Sequence, residues 1–273
     1  MTPQPEPKQL AAARWHRKSD DRLIQTIGTF PLIAAAEIAE REQRDIVQLR
    51  RRLRQLALCG LMDRIQGSDE RVTYFEEIKF GRCENVIQIP RFAGEWKPRP
   101  HFWFLKPKAL NGDHDLIAWE RKATSQVDHD RGINLIHLAL DHFFPAELQD
   151  WQQNRNTLKI TVGGTTFIPD GRFSLGDSFY LEYTHATPSG SDLYDKVPLY
   201  NDFLKGVRGT KVLFVFTDQK QALNFLSRVS DNFPYRWLWA TDIESLKHNP
   251  TGKIFWCPKD FEERTYGFSD IMV

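Results

Sequence analysis

One short apolar run constrains the fold of this chain more than any other feature. Residues 211–216 read KVLFVF, so apolar side chains occupy five successive positions after the lysine. Side chains alternate between the two faces of a strand, and a continuous apolar run is therefore typical of a strand buried on both faces. Such a strand needs helices above and below its sheet. The run predicts an α/β domain in the C-terminal half of the chain.

The segments around this run alternate between strand-like and helical patterns. Strands are predicted at 158–162, 166–175, 179–184 and 237–240, helices at 134–151, 193–204 and 219–229, and an edge strand at 253–258. This order implies a mixed sheet covered by helices.

Residues 20–66 are instead helical throughout. The first predicted helix ends at Pro31, because proline disrupts a helix interior. The second covers 32–39, and the third runs from 44 to 58 and stops near Gly60, a residue typical of helix C-termini. The chain as a whole is therefore predicted to be α+β.

The third predicted helix has two chemically distinct sides. Its apolar stripe consists of Ile46, Leu49, Leu53 and Leu56. The other side carries the candidate DNA contacts Arg44, Gln48, Arg51, Arg52, Arg54 and Gln55. Arginine and glutamine carry the donor geometry that reads guanine and adenine edges in the major groove, so this pattern predicts a recognition helix.

The residues after this helix predict a wing, which is a hairpin that contacts the DNA backbone. A turn at 67–69 precedes a predicted strand at 71–80, and Arg64 and Arg71 are expected to lie near phosphates. We therefore expect a flexible tail at 1–19 and a winged helix-turn-helix domain at 20–118. A basic, solvated helix in a protein-binding module is the competing interpretation, since charge runs usually face solvent.

Composition limits the other classes of function. The net charge is only +1, so evidence for nucleic-acid binding must come from local clusters. Cys59, Cys83 and Cys257 are far apart, which favours reduced thiols over a metal site or disulfides. No apolar run approaches the roughly 20 residues needed to cross a bilayer, and no signal peptide is apparent. We expect a cytoplasmic protein without a membrane partner.

Two acidic residues indicate a candidate catalytic site in the C-terminal half. Asp170 lies on one predicted strand and Glu182 on the next, so their carboxylates could converge on Mg²⁺ or Mn²⁺. This is the layout of PD-(D/E)xK nucleases, and it predicts a restriction-endonuclease-like domain at 119–273. A hairpin turn at Pro-Asp-Gly and a paired structural glutamate are the alternatives.

The nuclease pattern usually has a lysine two residues after the second acid. Here that position is Thr184, and Lys196 on the following predicted helix could supply the ammonium group instead. The candidate catalytic residues are therefore Asp170, Glu182 and Lys196, of which the two acids would hold the metal. A surface lysine is the alternative interpretation of Lys196.

Taken together, these segments resemble the replication-relaxation family of plasmids and conjugative elements. The resemblance runs from about residue 20 to 229, and it is carried by RRRLRQLALCGLMDR, HFWFLKPKALNG, INLIHLAL and IPDGRF…FYLEYTHAT…DKVPLYNDF…VLFVFTD. In that family Pro-Asp is followed by Glu with a small polar residue, then by Lys and Tyr. Asp170, Glu182, Lys196 and Tyr200 match these positions.

This resemblance implies a role on double-stranded DNA during plasmid or mobile-element replication or transfer, with replication or conjugation proteins as partners. The leading hypothesis is a DNA-binding protein with a Mg²⁺-dependent nuclease-like domain, which would cut or nick DNA. The alternative is a non-enzymatic regulator whose C-terminal domain mediates homodimerisation or partner docking. A protein-interaction adaptor without a DNA role is a third interpretation.

Overall fold

A computed structural model describes most of the chain. The described residues are 18–58, 60–66, 101–106, 124–153, 158–185, 192–230, 236–262 and 264–271. The fold is a mixture of helices and several sheets, which confirms the α+β class. The chain divides into two compact units, 1–134 and 135–273. The predicted domain boundary at 118/119 lies outside the described residues. Among those residues, no helix is both long and apolar enough to cross a membrane.

The N-terminal unit combines helices with a three-stranded antiparallel sheet. Its elements are α1 (Lys18–Thr29), β1 (Ile33–Ala34), α2 (Ala35–Arg41), α3 (Ile46–Leu58), β2 (Met62–Gln66) and β3 (His101–Leu105). The sheet order is β1-β3-β2. The turn predicted at 67–69 and the strand predicted at 71–80 lie outside the described residues.

The second and third helices of the N-terminal unit each begin later than predicted, for local reasons. The helix begins at Ala35 rather than at residue 32, because Ile33 and Ala34 pair with β3 as a short strand. The third helix begins at Ile46 rather than Arg44. The side chain of Asp45 accepts a hydrogen bond from the Gln48 backbone N–H at 2.8 Å, and this fixes the helix start.

A long helix, α4 (Thr124–Phe143), follows, and the boundary between the two units falls within its sequence. The sequence predicted this helix at 134–151, which is wrong at both ends. Residues 149–152 form the edge strand β4 (Gln149–Gln152), whose backbone pairs with the next strand of the main sheet.

The C-terminal unit contains a five-stranded mixed sheet. Its remaining elements are β5 (Ile160–Val162), β6 (Thr165–Phe167), β7 (Gly171–Leu175), β8 (Asp177–Thr184), α5 (Asp192–Leu204), β9 (Thr210–Phe216), α6 (Gln219–Ser230), β10 (Leu238–Asp242), α7 (Ile243–His248) and α8 (Phe268–Ile271). The sheet order is β10-β9-β8-β7-β4, in which β8, β9 and β10 run parallel and β7 runs antiparallel to its neighbours.

The centre of this sheet confirms the first prediction from sequence. All residues from Val212 to Phe216 are fully buried, and β9 is paired on both edges. The strand predicted at 166–175 is instead two strands, β6 and β7, in different sheets. The edge strand predicted at 253–258 is reduced to isolated backbone pairs, Ala240 with Trp256 and Phe255 with Tyr266.

Candidate DNA-binding face and acidic cluster

Helix α3 separates its leucines from its arginines, as the periodicity predicted. Leu49, Leu53 and Leu56 are buried. The side chains of Arg50, Arg51 and Arg54 are exposed, and Arg51 and Arg54 lie on the side opposite the leucines because each residue advances about 100° around a helix. Gln48 is also exposed. These residues form a basic surface, which we call the arginine face: Gln48, Arg50, Arg51 and Arg54.

Arg52 differs from its neighbours because its guanidinium group binds within the protein. Its Nε donates to Asp20 Oδ1 at 2.8 Å, and a second nitrogen bonds Asp20 Oδ2. A third nitrogen donates to Gln55 Oε1 at 3.0 Å. The Asp20 side chain is only 1% exposed, so this two-point ion pair joins α3 to α1 in a largely buried setting.

A second polar contact holds the turn before α3. Glu42, in the turn between α2 and α3, accepts a hydrogen bond from Thr26 Oγ1 at 2.5 Å. It also forms an ion pair with Arg22, with 2.7 Å between Nε and Oε2. Thr26 and Arg22 both lie on α1. The first helix therefore anchors α3 both at the preceding turn and at Arg52.

A third contact fixes the short strand β1 and α2. The fully buried Arg131 of α4 donates to the Leu32 carbonyl at 2.9 Å and forms an ion pair with Glu37. Glu37 accepts a hydrogen bond from the Ala34 backbone N–H at 2.8 Å. The guanidinium also lies 4.6 Å from the centroid of the Phe102 ring. This role of Arg131 was not predicted from the sequence.

The other predicted DNA contacts are more scattered. Arg44 is half-buried in the turn before α3. Arg64 is exposed on β2, and its guanidinium carbon lies 5.9 Å from the centroid of a Trp103 ring. Arg71 lies outside the described residues. The arginine face of α3 is therefore the main concentration of exposed basic side chains among the predicted contacts.

In the C-terminal unit, the β7–β8 hairpin brings Asp170 beside Glu182. Gly171 pairs with Leu181, so the next position of this antiparallel register sets Asp170 opposite Glu182. The Asp170 N–H donates to the Leu181 carbonyl at 3.0 Å. The Asp170 carboxylate in turn accepts a hydrogen bond from the Tyr183 N–H at 2.9 Å. Backbone bonds on both sides therefore fix the position of Asp170.

Helix α5 completes this group with two side chains. Lys196 Nζ donates to Glu182 Oε2 at 2.5 Å and to the Ile168 carbonyl at 3.3 Å. Tyr200 OH donates to Glu182 Oε1 at 2.7 Å. Lys196 and Tyr200 are four residues apart and so share one side of the helix. We call Asp170, Glu182, Lys196 and Tyr200 the acidic cluster.

Burial dominates the electrostatics of the acidic cluster. Glu182 is 2% exposed, and its pKa is raised to about 7, chiefly by burial and then by the charge of Asp170. The charge and hydrogen bond of Lys196 and the hydrogen bond of Tyr200 oppose this rise and are included in that value. Burial, followed by the charge of Glu182, raises the pKa of Tyr200 well above its usual range. The cluster can therefore hold or release a proton at Glu182 near neutral pH.

The carboxylate oxygens of Asp170 and Glu182 are of the kind that bind a hard cation such as Mg²⁺. Both oxygens of Glu182, however, already have protein partners. Within the described ranges, no group of three or more His, Cys, Asp or Glu side chains is arranged to hold a metal. Mg²⁺ commonly keeps several water ligands and uses one or two carboxylates, so two acids are a sufficient but weak donor set.

The structure thus brings together Asp170, Glu182 and Lys196, which the sequence selected as one site. Thr184, at the usual lysine position, is half-buried at the end of β8. Tyr200 matched the family motif but was not among the candidate catalytic residues, and its hydrogen bond to Glu182 was not predicted. The four-residue separation from Lys196 was the available signal.

Comparisons with known proteins provide no relative for this chain. No protein-family model matches it, and neither a curated protein nor a solved structure does. The resemblance to the replication-relaxation family therefore rests on the sequence motifs.

Proposed function

We propose that this chain binds duplex DNA, with α3 as the recognition helix of a winged helix-turn-helix domain. The observation that carries the proposal is the arginine face. Arg50, Arg51 and Arg54 are exposed on a helix whose opposite side is buried and whose position is fixed by the Asp20–Arg52 ion pair. A helix held in this way presents its donors in a fixed geometry, which base readout requires.

The order of elements supports the same domain type. Among the described residues, the order is a helix, a short strand, two helices and two longer strands, and β1 pairs with β3 at the edge of the sheet. In a winged helix, the wing follows the recognition helix. The wing predicted from the sequence, with Arg71, falls within 67–100, outside the described residues.

The main alternative is that α3 is a basic helix that binds another protein. The salt dependence of DNA binding distinguishes this alternative from DNA recognition. Arginines that contact phosphates release counterions, so the logarithm of the DNA affinity should fall linearly with the logarithm of salt concentration. We expect the Arg51→Ala/Arg54→Ala variant to lower this slope by about 0.9 for each phosphate contact removed. An arginine that reads a base should contribute about 1–3 kcal/mol of binding free energy.

The measurement is fluorescence anisotropy with a duplex enriched from a random pool, at several salt concentrations. The matched control is Lys205→Ala/Arg208→Ala, which removes two exposed positive charges from the C-terminal unit. DNA binding by a folded Arg51→Ala/Arg54→Ala variant at the wild-type level, with an unchanged salt slope, would exclude α3 as the reader.

A second candidate function is Mg²⁺-dependent phosphodiester hydrolysis in the C-terminal unit. It is favoured by the convergence of Lys196, Glu182 and Asp170. Asp170 and Glu182 would hold the ion, which when bound lowers the pKa of a water ligand. Lys196 would neutralise charge that develops on a phosphate. For metal binding, Glu182 must exchange at least part of its bonding to Lys196 or Tyr200.

Metal binding and cleavage provide separate tests of this second function. Millimolar Mn²⁺ should raise the unfolding temperature of the wild type, but not of Asp170→Asn or Glu182→Gln, because only the folded wild type has both donors. Supercoiled plasmid should be nicked by the wild type and not by Asp170→Ala. An equal metal response in all three proteins would leave the C-terminal unit as a dimerisation or docking domain of a DNA-binding regulator.

If DNA binding is established, the motif resemblance extends the proposal to the replication or transfer of a plasmid or other mobile element. The test is whether the enriched duplex occurs at the replication or transfer origin of the element that encodes the chain.

A further inference from the structure

We infer that Val47 contacts the C5-methyl group of a thymine in the major groove and so sets part of the sequence preference of α3. This inference rests on the proposed DNA binding and adds a named base contact to it.

The position of Val47 is unusual for an apolar side chain. It lies in the first turn of α3 and is 70% exposed. At about 100° per residue, Val47, Arg51 and Arg54 fall within an arc of roughly 60°. The same geometry sets them opposite the buried leucines. Val47 therefore belongs to the surface that the arginine face would press against DNA.

Thymine offers the matching chemistry. Its C5-methyl group is the apolar feature that base pairs display in the major groove, and apolar side chains contact it directly. In a helix-turn-helix domain, the N-terminal residues of the recognition helix approach the base edges. Val47 satisfies this positional requirement, and the arginines one and two turns later are placed to meet phosphates or guanine edges.

The surroundings of Val47 favour DNA over an apolar protein partner. Protein-binding surfaces usually present a contiguous apolar patch with large anchoring side chains. The other exposed apolar residue of α3, Leu58, lies eleven residues further, which is about 16 Å along the helix axis. The exposed positions between them include Gln48, Arg50 and Arg54. The small apolar side chain of Val47, surrounded by cationic side chains, is suited to contact a thymine methyl group on negatively charged DNA.

The experiment uses the full chain and the duplex enriched by the wild type. Each thymine is replaced in turn by deoxyuridine, which removes only the methyl group, and the dissociation constant is measured for three proteins. These are the wild type, Val47→Ala and the control Leu58→Ala. Leu58 is also apolar and is 77% exposed, but it lies at the far end of the helix.

At one thymine, deoxyuridine should weaken binding by the wild type about fourfold, the ratio that corresponds to burial of one methyl-sized group. Val47→Ala should bind the thymine and deoxyuridine duplexes with equal affinity at that position. Leu58→Ala should retain the fourfold loss. Unchanged unfolding temperatures would verify that both variants are folded.

Two results would overturn the inference and leave DNA binding intact. In the first, no deoxyuridine substitution weakens the wild type. In the second, Val47→Ala retains the wild-type sensitivity at every thymine. Failure of the wild type to enrich any duplex would instead overturn the proposed function, and the inference with it.

Discussion

The arginine face of α3 and the acidic cluster use charge in opposite ways. Arg51 and Arg54 keep their charges in water, where an unpaired ion costs little and stays available to a partner. Glu182 is buried, and both of its oxygens are bonded to protein groups. Burial of an ion carries a large desolvation cost, which partners must offset. The first region is suited to recognition, and the second to a fixed contact or to proton and cation exchange.

The same contrast occurs within α3 itself. Arg51 is exposed, whereas the next residue, Arg52, is committed to Asp20. Two adjacent arginines therefore have different physical roles, one available to a ligand and one structural. Substitutions at buried and at exposed positions should therefore differ in their effect on stability.

The largest effect is expected from a new charge in the interior. Val215→Asp introduces an unpaired carboxylate into a strand that is covered on both faces, and its desolvation cost is of the order of the roughly 5–15 kcal/mol that stabilises a whole protein. Val47→Asp introduces the same charge at a 70% exposed position and should leave the unfolding temperature nearly unchanged. Circular dichroism melts measure both. Cooperative wild-type unfolding of Val215→Asp would refute the buried-strand assignment.

Breaking the ion pair of the acidic cluster comes next. Lys196→Met should lower the free energy of unfolding by about 3–5 kcal/mol at pH 8, because Glu182 stays buried without its cation. Lys205→Met, at an exposed position just after α5, should cost less than about 0.5 kcal/mol. Urea titrations of both variants provide the comparison. Equal stabilities would mean that Glu182 does not depend on Lys196.

The titration of Glu182 should make stability depend on pH. Its folded-state pKa of about 7 exceeds the ordinary value of 4.5, so the folded protein binds this proton more tightly than the unfolded chain. The favourable contribution is therefore fully present below about pH 4.5 and is lost as pH rises through 7. The loss amounts to about 3 kcal/mol.

Glu182→Gln isolates this effect from the other titrating groups. Urea unfolding in metal-free buffer between pH 4.5 and 8 should show a smaller decline in stability for the variant than for the wild type. Parallel curves for the two proteins would show that Glu182 titrates at an ordinary pKa in the folded state.

The smallest effect distinguishes the two adjacent arginines. Arg52→Ala should lower the free energy of unfolding by about 1–3 kcal/mol, because the buried Asp20 carboxylate loses the two bonds from the Arg52 guanidinium. Arg51→Ala should change it by less than about 0.5 kcal/mol and should weaken DNA binding instead. Thermal unfolding and anisotropy on the same two samples measure both properties. A stability loss for Arg51→Ala equal to that for Arg52→Ala would reject the distinction.

Local periodicity predicted the elements that one segment can specify by itself. The buried run at 211–216 and the leucine stripe of α3 each determine their own face, and both predictions are confirmed. Pairing between distant segments was harder to predict from the sequence. Ile33 and Ala34 form a strand only because β3 lies beside them, and 149–152 leaves the helical pattern to pair with β7.

The candidate sites show the same limit. Asp170 and Glu182 were recognisable because a tight hairpin makes their register local. Asp20 was not identified as the partner of Arg52, because the two residues lie on different helices and are 32 positions apart in the sequence. The helical phase places Arg52 closer to the leucine stripe than Arg51, but no local pattern identifies Asp20 as its partner.

The Asp20–Arg52 pair also has an evolutionary consequence. Loss of either member removes a two-point ion pair in a largely buried setting, so single substitutions at these two positions pass through a destabilised protein. Related sequences should therefore change both positions together or neither. Val47, Arg51 and Arg54 carry no such constraint from the fold, so under the proposed function they can diverge separately as the DNA target diverges. The positions that change together in related sequences would thus distinguish the residues that hold α3 in place from the residues of its exposed face.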